Sequence, residues 1–494
     1  MILIPKSHLS FQTIRAVAKN QTKVNLNKRS LIKIIDSYSL IKQVAKGKKP
    51  IYGVNTGFGA LQNILLEKTD IGKLQANLIL SHAVGSGNFL EKEIVRIAMF
   101  LRANMLAKGY SGVRPQLIEL LLDMLNKDIV PLVPETGSVG ASGDLAPLAF
   151  IALTLLGQNK VWYQNKIMPT KSAFKKAGIN PINLEPKEGL ALINGTEIMS
   201  AIGTWVISEA EFLAKISDVA SAMSIVALQG KTEPFSLRIM NLKPYSEQIA
   251  TAKNLLKLLS GYSPNKNQVQ DAYSLRCIPQ VNGAVKMAIN FAQQIVLTEI
   301  NSVSDNPIIV NNKIISGGNF HGQAISLAMD CLGIGLTTLG LISERRTFRL
   351  LDDKLSGLPA FLVDNAGVNS GLMMLQVLAG ALCAENKVLS HPASIQSVST
   401  SASQEDFVSM GMTACNKVLK ILENILTILC IEIICARQAI ELAKHKVPKK
   451  LEKFYEAFVN VVPFITQDRL YQNDIERVKD LLVKDEFRNL LDKL

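Results

Sequence analysis

From about Gln116 onward the chain is a succession of segments in which Leu, Ile, Ala and Met recur at spacings of three and four. That period puts apolar side chains along one face of an α-helix, and strand-like alternation is scarce. The longest such segment runs from about Met412 to His445. In it Lys417, Lys420, Glu423, Asn424 and Thr427 mark a polar stripe, Val418, Leu419, Leu422, Ile425, Leu426 and Leu429 fill the rest, and Pro448 supplies the stop. A helix this apolar needs other helices to cover it, which predicts a long bundle, shared between subunits. The first hundred or so residues differ, mixing short segments with Gly-rich turns such as Tyr52-Gly53-Val54-Asn55-Thr56-Gly57-Phe58-Gly59. The expected fold class is mainly α: a long multi-helix bundle with a smaller N-terminal mixed α/β head domain. Residues 1–110 would form the head and 111–494 the elongated helical domain.

Composition supports a buried core. Of 494 residues, 48% are apolar and 19% charged, which excludes a largely disordered chain. The longest uncharged stretch, Asn365 to Ala384, is broken by Gly367, Asn369, Gly371, Gln376 and Gly380, a poor composition for crossing lipid. It reads as buried helix. The net charge of +13 is concentrated at the start, where the first 50 residues hold eleven basic residues and a single acid, Asp36. Leu31, Ile34, Ile35, Tyr38 and Ile41 interleave with those charges at helical spacing, so the stretch reads as a solvated helix face, with neither nucleic acid nor membrane as partner. The six cysteines lie in apolar, helix-like sequence without a Cys-x-x-Cys pair, as in a protein of the reducing cytoplasm.

Several familiar motifs fail. Gly230-Lys231-Thr232 lacks the Gly-rich turn of a phosphate-binding loop, since Ile225 stands where its first Gly belongs. Gly140-Ala141-Ser142-Gly143-Asp144 misses a hydrolase nucleophile elbow by its last residue. The five histidines are never three or four apart, which argues against zinc. What remains are polar islands in apolar surroundings: Ser81-His82, Gly140 to Asp144, Glu188 to Thr196, Gln270 to Arg276, Gly317 to His321 and Ser403 to Asp406. Buried polar groups must be satisfied, so such islands signal a network or a site. By itself, the Asp144 segment reads as a helix N-terminal turn before Leu145, with the carboxylate at the positive end of the helix dipole.

The run Gly137-Ser138-Val139-Gly140-Ala141-Ser142-Gly143-Asp144-Leu145-Ala146-Pro147-Leu148 resembles the signature of the aromatic amino acid ammonia-lyases. The other islands follow in the family's order, from about Ile4 to beyond Met410. The fumarase and argininosuccinate lyase loop, Gly-Ser-Ser-x-Met-Pro-x-Lys, is absent. The resemblance implies that Ala141, Ser142 and Gly143 close on themselves to form the electrophile methylideneimidazolone (MIO), with no metal and no nucleotide. Closure needs the Gly143 nitrogen to attack the Ala141 carbonyl, which a residue without Cβ permits, and Ser142 to lose its hydroxyl.

Further roles follow from the resemblance. Tyr52 is the candidate base for the β-proton, with Tyr273 assisting, and a neighbouring cation or oriented donors would be needed to favour the phenolate. Arg276 would grip the substrate carboxylate as a fork. Asn194 and Gln270 match positions that hydrogen-bond the MIO oxygen or the carboxylate, and Phe320 packs along cofactor and substrate. Ser81-His82 and Glu405 match the histidine-specific members, and a carboxylate suits an imidazole far better than a phenyl ring. The implied reaction is therefore L-histidine to trans-urocanate and ammonia, in a homotetramer whose active sites are shared among three subunits. Phe150, Ser399, Ser403 and Phe407 depart from the histidine-specific pattern, which keeps a phenylalanine or tyrosine lyase, or an aromatic 2,3-aminomutase, as the alternative.

If the ring closes, the intact chain weighs two waters less than its sequence. Ser142→Ala should fold but lose the deficit and the activity, because alanine has no hydroxyl to eliminate. Mass spectrometry of both chains checks this, and an active wild type at full sequence mass would refute the cofactor.

Overall fold

The computed structural model describes residues 1–67, 69–264 and 269–494. The chain forms two compact units. The first comprises Met1–Trp205, Ala292–Asp330 and Pro392–Asn416, and the second Val206–Phe291, Cys331–His391 and Lys417–Leu494. The architecture is mainly helical, as expected, with short strands. The boundary expected at residue 110 instead falls inside the first unit. Helix Lys92–Ala107 buries every residue from Ile94 onward and packs on helix Pro115–Asn126, so the chain on both sides of that boundary shares one core.

All the described strands lie in the first unit. Ile2–Ile4 runs parallel to Val24–Leu26, Ser86–Phe89 pairs antiparallel with Pro134–Thr136, and Lys160–Tyr163 sits between Val130–Pro131 and Lys166–Pro169. Ile308–Val310 and Lys313–Ile315 form a hairpin. Arg96, buried in the central helix Lys92–Ala107, is satisfied in place. Arg96 donates to the carbonyls of Val17, Ala18 and Leu125 and pairs with Asp128 at 2.8 Å, which ties the N-terminal segment to the helix pair.

Long helices dominate the second unit. Gly411–Leu442 covers most of the segment expected from Met412 to His445. The uncharged stretch from Asn365 is helical only from Met373, because Gly367 and Gly371 adopt left-handed backbone (φ +101° and +60°) and hold a turn there. Helix Gln323–Leu351 is long and apolar enough to cross a membrane, but 67% of its most apolar window is buried within the protein, as in a bundle core. The bundle also buries charge. Glu432, fully buried, accepts from Ser224 Oγ (2.7 Å), Ser343 Oγ (2.6 Å) and the Arg346 fork (2.6 and 2.8 Å).

A buried ion pair is costly to break from one side, since the surviving charge is left unpaired. Glu432→Leu should therefore destabilise the protein by about 3–5 kcal/mol, whereas adding Arg346→Met should restore much of the loss. Thermal unfolding of both variants gives the comparison.

Candidate active site

The segment Gly137 to Leu145 is a loop built by its own small residues. Ser138 Oγ accepts from Gly140 N (3.0 Å) and donates to the Gly143 carbonyl (3.3 Å), curling the tripeptide Ala141-Ser142-Gly143 into a tight bend. Gly143 has φ +74°, and a Cβ there would lie 2.1 Å from the Gly195 carbonyl oxygen. Only glycine fits. Leu145, which follows, holds φ +47°, a strained conformation for a side chain of its kind.

Asp144 does not cap the helix that follows it. Its backbone N–H donates to the Gly195 carbonyl (2.6 Å), and its carboxylate accepts from the N–H groups of Ile198 (2.5 Å) and Met199 (3.2 Å). It thus caps helix Glu197–Ala227. Burial, helped by the nearby Glu197 carboxylate, holds its carboxyl well above the usual carboxylate range, against the two N–H donors.

Around this loop stand most of the expected side chains. Ser142 Oγ donates to Glu405 Oε1 at 3.1 Å, and Thr400 Oγ1 donates to Glu405 Oε2 at 2.8 Å. Glu405 forms part of the wall of three cavities, two of them shared with His82 and two with Tyr52, Ser142 and Asn194. Phe320 lines the last. Asn194 ends helix Glu188–Ile193 with extended backbone (ψ 93°), is 2% exposed, and has an Oδ1 with no hydrogen-bond partner. An orphaned buried acceptor beside a cavity marks a place for a ligand.

His82 closes helix Ile71–His82, where its Nδ1 lies 2.9 Å from the Leu78 carbonyl and 3.0 Å from Ser81 Oγ. A carbonyl can only accept, so Nδ1 carries the proton and Nε2 presents a lone pair. Burial lowers the His82 pKa, opposed by the Leu78 bond and the Glu405 charge, so the neutral ring is favoured. Tyr52 sits on a turn braced by Asn55, which accepts from Ile51 N (2.8 Å) and donates to the Lys49 carbonyl (3.0 Å). Its hydroxyl accepts from Gly59 N at 3.4 Å. Burial pushes its phenol up, the Gly59 N–H opposes this, and Glu405 adds to it. The donors expected to favour phenolate are thus represented among these neighbours by a single backbone N–H.

Gln270, Tyr273 and Arg276 belong to the second unit. Tyr273 is 71% exposed, the Arg276 guanidinium lies over its ring at 4.7 Å, and Arg276 Nε is buried without a partner. Of the departures from the histidine pattern, Phe407 stacks on His321 (6.1 Å) and lines the cavity, Ser399 donates to Ser403 Oγ (3.3 Å), and Phe150 is absent from the walls of the three cavities. Sequence reasoning missed Thr400, Gln75 and Arg102. Fully buried Gln75 accepts from Gly189 N (2.9 Å) and Leu190 N (3.3 Å) and donates to the Gly53 carbonyl (3.4 Å), joining the Tyr52 turn to the helix that ends at Asn194. Its only signal was a polar residue on the inner face of a helix. Among the described residues, no group of three or more His, Cys, Asp or Glu could hold a metal ion.

A bent tripeptide beside a carboxylate, a phenol and an imidazole, set in a mainly helical protein, defines a class of lyase. Residues 9–460 match the aromatic amino acid lyase family, and the chain belongs to it. It is accordingly an enzyme, a carbon–nitrogen lyase. A histidine ammonia-lyase of Myxococcus xanthus is 46% identical over 492 residues, 97% of this chain and 96% of that protein. Among solved structures, histidine ammonia-lyase from Trypanosoma cruzi gives a TM-score of 0.91 at 37% identity, covering 100% of this chain and 95% of that one. A tyrosine aminomutase from Streptomyces globisporus gives 0.93 at 36% identity, covering 100% and 99%. The fold alone therefore does not select the substrate.

Tyr52→Phe keeps the ring that fills the turn and deletes the phenol. Ammonia release from the preferred amino acid should fall by a factor on the order of 10² to 10⁴. Because burial raises the phenol's pKa, the wild-type rate should climb with pH over the range in which Tyr52 deprotonates, and the variant should lose that limb. A near-normal rate in the variant would move the role to Tyr273.

Proposed function

We propose that this chain is a histidine ammonia-lyase, converting L-histidine to trans-urocanate and ammonia through an MIO group formed from Ala141-Ser142-Gly143. The observation that carries the substrate is Glu405, whose carboxylate is held by Thr400 beside the tripeptide and shares cavity walls with neutral His82. An unpaired carboxylate facing a phenyl ring is unfavourable, whereas an imidazole offers it an N–H. The 46% identity to a histidine ammonia-lyase supports the same choice.

The residues present fit the cofactor. Gly143 has the positive φ and the missing Cβ that closure onto Ala141 needs, and Asn194 lines two cavities together with Ser142. When formed, the group supplies an electrophilic carbon that captures the substrate amine and turns ammonia into a better leaving group. Asn194 would hold the ring oxygen through its amide N–H. Loss of the Ser142 hydroxyl also frees Glu405 Oε1 from its present donor, leaving that oxygen for substrate.

The rest is work for ordinary side chains. Glu405 accepts the N–H of the substrate imidazole, and when that ring is protonated to imidazolium its second N–H donates to His82 Nε2, which is free to accept because Leu78 holds Nδ1–H. Tyr52 removes the β-proton as the C–N bond breaks. Burial works against its phenolate, so an added cation is required. Arg276 can supply that charge and grip the substrate carboxylate, with Tyr273 and Gln270 beside it. We assign these three to neighbouring copies in a homotetramer with shared sites. Tyr273 is exposed at 71% in the single chain, and helix Met373–Leu389 leaves Met374, Val377 and Val388 exposed as an apolar stripe for another copy. Cys415, Cys430 and Cys435 are fully buried as small apolar side chains, which fits the cytoplasm.

Incubation with histidine, phenylalanine and tyrosine in turn, following the ultraviolet absorbance of the conjugated acid, tests the reading. Wild type should prefer histidine. Glu405→Gln removes a charge-assisted bond worth roughly 1.5–3 kcal/mol and should cost histidine about ten- to a hundredfold in kcat/KM, with a smaller effect on phenylalanine. Equal slowing of all substrates would overturn the histidine assignment and leave the family intact.

A further inference from the structure

Arg102 lies inside the apolar helix Lys92–Ala107, 1% exposed, and the mechanism above makes no use of it. Its guanidinium is spent on one short stretch of chain. Nη1 pairs with both oxygens of Glu197 at 2.8 Å, and Nη2 donates to the carbonyls of Ala191 and of Asn194, the latter at 2.9 Å. Ser304 Oγ donates to the same Glu197 carboxylate at 2.8 Å. The pair fills the space where Gly195 would carry a side chain: a Cβ there would meet Arg102 Nη1 at 2.2 Å and Glu197 Oε2 at 2.4 Å.

We propose that Arg102 is a positioning residue, which with Glu197 clamps Asn194-Gly195 so that the Asn194 side chain faces Ser142 and the Gly195 carbonyl braces Gly143-Asp144. The inference rests on the functional reading above for its activity test and on the tripeptide's closure for its mass test. The helix Glu188–Ile193 runs out of partners at its C-terminal end, and the guanidinium takes the last carbonyls there while a carboxylate fixes the guanidinium. A planar fork serves Glu197 and two carbonyls at once. Lysine has one ammonium and cannot hold that spread.

The test is a double-mutant cycle with Arg102→Lys, Asn194→Ala and their combination in the full-length protein. Ammonia release is followed long enough to resolve slow variants, and each rate is divided by the fraction of chains two waters light. Arg102→Lys should retain a cooperative melt and lose about ten- to a hundredfold in kcat/KM, and most of that loss should vanish when Asn194 is already alanine. A rate near wild type, or the same loss in both backgrounds, overturns the proposal. Should Arg102→Lys fail to fold, Ser304→Ala, which leaves the ion pair and removes one brace of Glu197, takes its place in the cycle under the same criteria. If wild type releases ammonia from none of the three amino acids, the functional reading fails separately. The clamp is then judged by mass alone: fewer closed chains in the variant than in wild type supports it, and equal closure overturns it.

Discussion

The active site depends on one backbone contact, the packing of Gly143-Asp144 against Gly195. Two chain segments some fifty residues apart approach so closely that Gly143 could carry no Cβ, and the Asp144 N–H bonds the Gly195 carbonyl across the gap. Asp144 then secures the contact by capping helix Glu197–Ala227 with its carboxylate. A cap fixes a helix end and the loop that provides it together. One buried aspartate therefore sets the position of the tripeptide on one side and of Asn194 on the other.

Electrostatics follow from that geometry. The cavity walls bring a carboxylate, a phenol, an imidazole and an amide close together, and burial pushes the phenol and the imidazole toward their neutral forms. Neutral His82 is an acceptor ready for a ring N–H. Neutral Tyr52 holds its proton, and the guanidinium of Arg276, which under the proposed function would favour its phenolate, sits in the second unit beside Tyr273. Tyr52 and Arg276 thus belong to different compact units of the chain.

The helices carry charge in their cores as well. Arg102 with Glu197 in the first unit, and Arg346 with Glu432 in the second, are buried pairs surrounded by further donors and acceptors. Such pairs contribute little net stability compared with apolar replacements, but each accepts only one arrangement of its neighbours. In the first unit that selectivity falls where the chain must hold Asn194 and Gly195.

Residue order alone determined the helical class and the family and proposed most of the candidate site, because helical periodicity and the Gly-rich tripeptide segment are local patterns that a chain displays without folding. Tyr52, His82, Ser142, Asn194, Phe320 and Glu405, which the family resemblance singled out, all line the cavities. Partnership was not legible in the sequence. The sequence put Asp144 at the helix just after it, whereas the fold gave it to a helix starting more than fifty residues later; it put a boundary at residue 110, where two helices share a core. Gln75 and Arg102 looked like single polar residues in helices, and only the fold turned them toward Gly53 and Asn194. Spacing reports which face a residue occupies on its own element. Which distant carbonyl or carboxylate that face meets is decided by the packing of elements far apart in sequence, and so appears only in the tertiary structure.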